Sequence, residues 1–290
     1  MINMQNIKTT LASLGIILGF TLTSCQQVID LELETAARKL VVEGRVEKAR
    51  VGTIPEQVVR LTQVSDFFLN QAPPAATGAE VWVEDGKGAR YDYTERTAGI
   101  YVNTELQGEV GETYTLNIRW EEQSYQGSET LIGVPPLDSL YQVEAEQNLF
   151  EDGGLKAAIN FTDPAEEANF YFWETYVDGE LQVLPDPGNK DNLITKDDFF
   201  DGQQVVGYFP NEELVVEIGQ QVVVRQLGLG ATVYQYYFAL YDQAGRTGSV
   251  IDTPPAPVKG NIVNLSSPGD FPLGYFYATE VTERSMVVSE

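Results

Sequence analysis

Histidine is absent from the 290-residue sequence. Without an imidazole, the chain cannot form a Ser-His-Asp triad, a Cys-His nucleophile, a His-ligated zinc site or a histidine proton relay. We therefore predict a protein that is not an enzyme and that holds no cofactor and no metal. A hydrolase of surface glycans that works with two carboxylates stays open as an alternative, because no spacing among the 43 acidic residues singles out one pair.

Cysteine occurs once, at Cys25, so the chain cannot form an internal disulfide. This residue ends the sequence Leu22-Thr23-Ser24-Cys25, which follows an apolar run that starts at Leu11. The run is shorter than the roughly 20 apolar residues that a membrane-spanning helix needs, and it ends in small polar residues as a signal peptide does. We predict that residues 1–24 are a signal peptide that is removed. An ordinary secreted protein with a cysteine near its cleavage site is the alternative.

The four residues that end at Cys25 resemble a bacterial lipobox, in which the cysteine receives a diacylglycerol before the peptide ahead of it is cut. The resemblance implies that Cys25 is the lipid attachment site and that the membrane is a partner through this lipid. Several acyl chains on one residue hold a protein to a bilayer far more firmly than a single chain does. Residues 25–38 would then be a lipidated acidic tether.

Basic residues are scarce, since 18 Lys and Arg stand against 43 Asp and Glu and give a net charge of −25. Nucleic-acid binding needs clustered cations that displace condensed counterions, so this balance excludes nucleic acid as a partner. The acidic residues are spread along the chain, which is typical of a solvated surface. With 43% hydrophobic and 11% aromatic residues, the chain can still bury sizeable cores.

Short runs of β-forming residues separated by turn residues begin at Leu40. About seven such runs precede Pro135-Pro136, and this close spacing is typical of a β-sandwich. Asp85–Gly88, between two runs, predicts a hairpin loop. Successive prolines interrupt strand pairing, so we predict a domain boundary at Pro135-Pro136. The predicted fold class is mainly β, with two sandwich-like domains: an N-terminal β-sandwich over residues 39–134 and a β-rich domain over residues 137–290.

Four segments of the first domain together resemble the prealbumin-like sandwich, an Ig-like fold that recurs in surface and periplasmic proteins. They are Gly78–Val83, Asp85-Gly86, Ala98–Tyr101 and Gly111–Leu116. The resemblance implies a module for adhesion or spacing.

The second domain contains an interruption of the strand-like pattern. Residues 184–212 are rich in Pro, Asp, Gly and Asn, which predicts a loop insertion, and Thr195 is placed to start one helical turn within it. Residues 231–243 are ambiguous: an aromatic run favours a strand, whereas Thr232 as an N-cap and Gly245 as a stop favour one short helix. We predict the helix.

Candidate contact residues concentrate in this insertion, because long loops on a rigid scaffold carry binding more often than strands do. The candidates for partner or ligand contact are Phe199, Phe200, Tyr208 and Phe209, together with Trp173 on the preceding aromatic strand. Inward packing of these rings is the alternative. Two acidic turns, residues 163–167 and 186–191, lack the D-x-[DN]-x-[DN]-G pattern of a calcium loop, so we interpret them as plain loops; calcium binding stays open as the alternative, because oxygen ligands suit this ion.

Several segments in order resemble one family, the Bacteroidota lipoproteins filed as a domain of unknown function and encoded beside TonB-dependent outer-membrane transporters. They are Cys25 with its acidic tether, Leu40–Gly44, Gly78–Val81, Phe199–Gln203, Thr253–Ile262 and Leu273–Phe276. The resemblance implies a non-catalytic binding or accessory component of TonB-dependent nutrient uptake, with a transporter barrel as partner. It implies an outer-membrane location; Asp30, Glu32 and Glu34 favour cell-surface exposure, with the periplasmic face open. A purely structural adhesion or spacer protein is a further alternative.

Overall fold

The computed structural model describes residues 39–64, 72–145, 153–184, 186–245 and 256–290. The predicted signal peptide, Cys25 and the tether lie outside these ranges. No helix within them has the length and apolar character needed to cross a membrane.

The described residues form a mainly β protein with one α-helix and one 3-10 helix, which confirms the predicted class. The first eight strands are β1 (Leu40–Ala49), β2 (Gln57–Gln63), β3 (Glu80–Asp85), β4 (Arg90–Thr97), β5 (Ile100–Asn103), β6 (Thr113–Trp120), β7 (Gln123–Thr130) and β8 (Leu137–Ala145). The others are β9 (Gly154–Thr162), β10 (Phe170–Val177), β11 (Glu180–Gln182), β12 (Ile194–Lys196), β13 (Gln204–Tyr208), β14 (Gln221–Gly228), β15 (Val263–Asn264) and β16 (Leu273–Val287). The 3-10 helix is Pro187–Asn192, and helix α1 is Ala231–Ala244.

One large sheet runs through most of the protein in the order β11-β10-β14-β16-β1-β2-β5-β4-β3-β6-β7-β15, and β12 adds to β10. The sheet turns within β4, whose first half pairs with β3 up to Tyr93 and whose second half pairs with β5 from Thr94. Alternating apolar residues on both sides of this turn share one buried cluster, with Leu61 and Tyr101 on one side and Leu116 on the other. This half of the molecule is therefore sandwich-like.

A second sheet, in the order β13-β9-β8, covers one face of β10 and β14. Its Phe161 and Ile159 pack with Trp173, Val222 and Val224 in a second buried cluster. Both faces of β10 are thus covered, because α1 packs on the opposite face. That explains why its aromatic run lacks the alternation of a half-exposed strand.

Helix α1 packs on the large sheet through aromatic side chains. The ring of Tyr237 stacks on Phe172 of β10 at 5.6 Å and meets Tyr277 of β16 edge-on at 5.8 Å. The helix predicted at 231–243 is therefore confirmed, but Thr232 as its N-cap is wrong. Gly230 occupies that position without a side-chain bond, while Thr232 Oγ1 donates to Glu129 Oε2 at 3.3 Å.

Strand β16 joins the two halves of the large sheet. Its first part pairs in parallel with β1, and its last part pairs antiparallel with β14. Phe276 and Ala278 belong to the first core, whereas Met286 packs against the second. Residues 37–290 form one compact unit. The division into two domains at Pro135-Pro136 remains a prediction. Strand β16, which belongs to the second predicted domain, pairs with β1 of the first.

The segment predicted as a loop insertion, residues 184–212, contains regular structure. Its described part holds the 3-10 helix, β12 and β13. The helical turn predicted to start at Thr195 is wrong, since Ile194–Lys196 pairs as a strand with β10. The local Pro and Gly pattern marks a real 3-10 helix at Pro187–Asn192 instead.

Candidate functional site

The predicted contact residues divide by exposure. Trp173 lies fully buried in β10, where its Nε1 donates to Gln226 Oε1 at 3.0 Å and its ring lies 4.7 Å from that of Tyr208. It is a core residue rather than a surface that a partner reaches. This outcome matches the inward-packing alternative, because a large ring with a satisfied N–H is well suited to a core.

Phe200 and Tyr208 pack inward on the same ring. Both meet Phe161 edge-on, with ring centroids at 5.8 and 6.1 Å. The Tyr208 hydroxyl donates to the carbonyl of Asn192 at 2.9 Å, and burial raises the pKa of Tyr208 far above its ordinary value. The hydroxyl is therefore a neutral hydrogen-bond donor that fixes β13 to the 3-10 helix.

Phe199 is the candidate that the fold presents to solvent, with 91% of its surface exposed. Phe209 is half-buried. The turn that carries Phe199 is held tightly, because Phe200 N donates to Asp197 O at 2.8 Å and Gln203 N donates to Phe200 O at 2.9 Å. Phe199 and Phe200 are adjacent in the sequence, but Phe199 lies at the surface and Phe200 packs against the core.

Three carboxylates that lie far apart in the sequence meet at this turn. One oxygen each of Asp163, Asp197 and Asp201 lies within 4.8 Å of the others, and the first two residues are buried. Burial raises the pKa of Asp163 against the opposing hydrogen bonds from Tyr171 and Gly202, and the charges of Asp197 and Asp201 raise it further. Sequence reasoning missed this cluster because residues 163–167 on their own look like an ordinary acidic turn.

The buried carboxylates of this cluster also serve the fold. Asp163 accepts from the Tyr171 hydroxyl and from Gly202 N at 2.9 Å, and Asp197 Oδ2 accepts from Asn169 N at 2.7 Å. These bonds tie the turn to β10. The arrangement brings close acids and one raised pKa together, which are two requirements of carboxylate acid–base chemistry.

A closed ring of ion pairs joins β1, β10 and β14. Arg45 bonds Glu174 at 2.5 Å and Glu47 at 2.6 Å, and Arg225 bonds the same two carboxylates at 2.6 and 2.7 Å. Burial works to raise the pKa of Glu174, but the two guanidinium groups outweigh it and hold that pKa below its usual range. A weak sequence signal existed, since Glu43, Arg45 and Glu47 share one face of β1, but nothing in it singles out Arg45 and Glu47.

A cavity of about 540 Å³ opens beside this ring of ion pairs. Glu47 and Arg225 line it, together with residues 50, 51 and 53–56 and with residues Val281–Arg284 of β16. Its volume is within the usual range for small-molecule sites, although charged groups make up much of its lining. The cavity combines a strand edge with both signs of charge.

The fold and these sites define a mainly β, sandwich-like protein built on one long sheet. The chain belongs to the family described as a domain of unknown function, DUF4249, which matches residues 26–285. No curated protein matches the sequence. A solved structure, that of the Yersinia pseudotuberculosis adhesin InvE, is similar over 66% of this chain at 17% identity and a TM-score of 0.20. The chain spans 55% of the length of that adhesin.

Proposed function

We propose that this protein is a non-catalytic, lipid-anchored outer-membrane protein that acts as a binding or accessory component of TonB-dependent nutrient uptake. The observation that carries the proposal is the lipobox-like sequence ending at Cys25. The matched family region begins at the next residue, so the whole family domain would follow the lipid directly. A protein held at the membrane in this way works beside other membrane components, and the resemblance to lipoproteins encoded beside transporters names the class of partner.

The folded part of the chain supports a binding role through its surface. Phe199 stands exposed on a turn that several hydrogen bonds fix, and a large exposed ring on a fixed turn suits a contact with another protein. The strong negative charge is typical of a solvated surface, and the acidic residues Asp30, Glu32 and Glu34 favour display on the cell surface.

The carboxylate hydrolase is the second candidate, and the cluster of Asp163, Asp197 and Asp201 is the observation that favours it. The binding role is preferred because both buried members of the cluster already accept a hydrogen bond from a backbone amide of another segment, Asp163 from Gly202 N and Asp197 from Asn169 N. Purely structural adhesion is the third candidate.

Affinity purification tests the proposal. The tagged, lipidated protein is extracted from native outer membranes in mild detergent, and its partners are identified by mass spectrometry. We expect a TonB-dependent barrel to co-purify with the wild type and to be lost with Cys25→Ala, because that variant is not held at the membrane. Recovery of the protein without a barrel would contradict a stable complex and would turn attention to the hydrolase.

A further inference from the structure

Strand β16 extends beyond the strand that covers one of its edges. Strand β1 pairs with it only as far as Val281, where Ala49 is the last partner. On the other edge, β14 pairs with it from Val281 to Val287. Within the described ranges, no strand pairs with the β1 side of residues 282–287, so this stretch is an open sheet edge.

The direction of the backbone groups on that edge follows from its hydrogen bonds. Val281 O accepts from Arg50 N at 2.8 Å on the β1 side, whereas Val288 exchanges bonds with Gly219 and Gln220 on the β14 side. Successive residues of a strand alternate between the two sides. The residues that direct both N–H and C=O toward the open side are therefore Glu283, Ser285 and Val287.

This open edge faces a preformed slot. Residues 282–284 of the edge and residues 50, 51 and 53–56 line the same cavity of about 540 Å³. Val51 in the lining is 90% exposed, and Val287 of the edge is 64% exposed. An extended peptide that pairs with a strand edge and places alternate side chains in flanking pockets is a common mode of recognition. The slot lies beside residues 282–284, where this mode would place a side chain of the added strand.

Natural proteins block sheet edges with proline, charged side chains, a bulge or a covering segment. This edge carries two charged residues, Glu283 and Arg284, but neither proline nor a bulge. Glu283 is turned toward Arg225, with its Oε2 at 3.8 Å from the Nε.

At the end of the edge, the Gln142 side chain of β8 exchanges hydrogen bonds with the backbone of Ser289 at 2.7 and 2.8 Å. Among the described residues, Glu283, Ser285 and Val287 are therefore the positions left for an added strand.

The charge of one residue beside the edge, Arg284, indicates which side chain an added strand would carry. Among the described residues, every lysine and arginine pairs with a carboxylate except Lys156, Lys259 and Arg284. Arg284 lines the slot and donates through Nε to Leu137 O at 3.0 Å. In a chain of net charge −25, an arginine without a carboxylate at a cavity wall is the exception. It is placed to bind a carboxylate from outside.

We infer that the open edge of β16 and the slot beside it are the docking site for an extended segment of a partner protein. The segment adds as a strand along Glu283, Ser285 and Val287 and presents a carboxylate to Arg284. The inference rests on the proposed function, and the segment belongs to the transporter.

Proline substitution at the edge tests this site. The N–H of Ser285 points to the open side, so Ser285→Pro breaks no bond to β14 but blocks an added strand. Leu181→Pro is the matched control, because Leu181 follows the hairpin-closing pair Val177 and Glu180 and also directs its N–H away from its sheet. Arg284→Glu is a second variant that keeps the backbone and reverses the charge.

The probe is obtained from the full-length lipidated protein in native membranes. A photo-crosslinking amino acid at Val287 captures whatever lies on the edge, and mass spectrometry maps the attached segment, which is then synthesised as a peptide. We expect a transporter segment whose binding slows amide exchange at Glu283, Ser285 and Val287. Ser285→Pro and Arg284→Glu should each weaken binding at least about tenfold, and Leu181→Pro should leave it within about twofold.

Several results would overturn the inference. They are a crosslink to a second copy or to the protein's own chain, unchanged affinity in Ser285→Pro and Arg284→Glu, or binding without amide protection. If the transporter co-purified with Ser285→Pro as it does with the wild type, the docking site at this edge would be refuted, but the proposed function would not. Absence of the transporter from the wild-type purification would refute the proposed function itself.

Discussion

Four charged residues of the large sheet are largely buried, and each is paired with residues of opposite charge. Arg45, Glu47, Glu174 and Arg225 form alternating pairs, and the side chain of Glu174 is only 6% exposed. Removing one member of a buried pair leaves the others uncompensated, which costs more than the pair itself contributes. The ring therefore makes the junction of β1, β10 and β14 sensitive to single changes of charge.

Glu174→Gln should reduce the free energy of unfolding by about 3 kcal/mol at pH 7, as measured by urea denaturation. The pKa of Glu174 is lowered in the fold from its ordinary value of 4.5. Its contribution is therefore complete above that value and is lost as the pH falls through the lowered folded pKa. The difference between wild type and variant should shrink on acidification below about pH 4.5.

Glu283→Gln is the control for this prediction, because its side chain is 65% exposed and lies 3.8 Å from Arg225. It should change stability by less than about 0.5 kcal/mol. Equal losses in the two variants would show that the closed ring has no special role.

Alanine substitutions at the adjacent residues Phe199 and Phe200 should have different effects, because the first ring is exposed and the second packs against the core. Phe199→Ala should leave the unfolding free energy within about 0.5 kcal/mol, because the ring is 91% exposed, and should reduce transporter recovery in affinity purification. Phe200→Ala should cost about 2 kcal/mol, because it removes the edge contact to Phe161. If Phe199→Ala left transporter recovery unchanged, the exposed ring would not be a contact.

Elements with strong local signals were predictable. The hairpin at Asp85–Gly88 is present, since Gly88 N donates to Asp85 O at 3.0 Å and Asp85 Oδ1 accepts from two further backbone amides. Helix α1 was predicted by its stop at Gly245 in spite of its strand-like aromatic run. Its rings pack on β10 and β16, so burial against the sheet, rather than propensity, stabilises it as a helix.

The parallel pairing of β1 and β16 depends on one glycine. Gly274 has φ +93°, and a Cβ built there would lie 1.9 Å from the carbonyl oxygen of Val42. Gly274→Ala should therefore cost at least about 2 kcal/mol in unfolding free energy. Gly52→Ala is the control, since its φ is +87° but no atom lies within 4 Å, and it should cost about 1 kcal/mol. Equal costs would mean that the close approach of the two strands is unimportant.

At the scale of the whole molecule, the long-range pairing was out of reach of sequence patterns. Strand β1 pairs with a strand more than 200 residues later in the chain, and the register of that pair is visible only in the structure. The approach of Asp163 to Asp197 is likewise visible only in the structure. Asp163 accepts from the Tyr171 hydroxyl and from Gly202 N, which lies on the turn that follows Asp197. Periodicity predicts the type of an element, whereas the partner of each strand is decided by packing of the complete sheet.

For the whole molecule, we propose a lipid anchor at Cys25 together with a folded part that binds a transporter. Cys25, the predicted lipid attachment site, directly precedes the matched family region, and the candidate contacts, Phe199 and the open edge of β16, lie in the folded part that follows. We expect both features to stabilise the proposed complex, because tethering raises the effective concentration of the two partners.

The molar ratio of a TonB-dependent barrel to the tagged protein, measured after purification from native outer membranes, tests this account most directly. We predict a ratio near one for the wild type and loss of the barrel with Cys25→Ala. A wild-type protein that purifies from the membrane in good yield without any barrel would contradict the account.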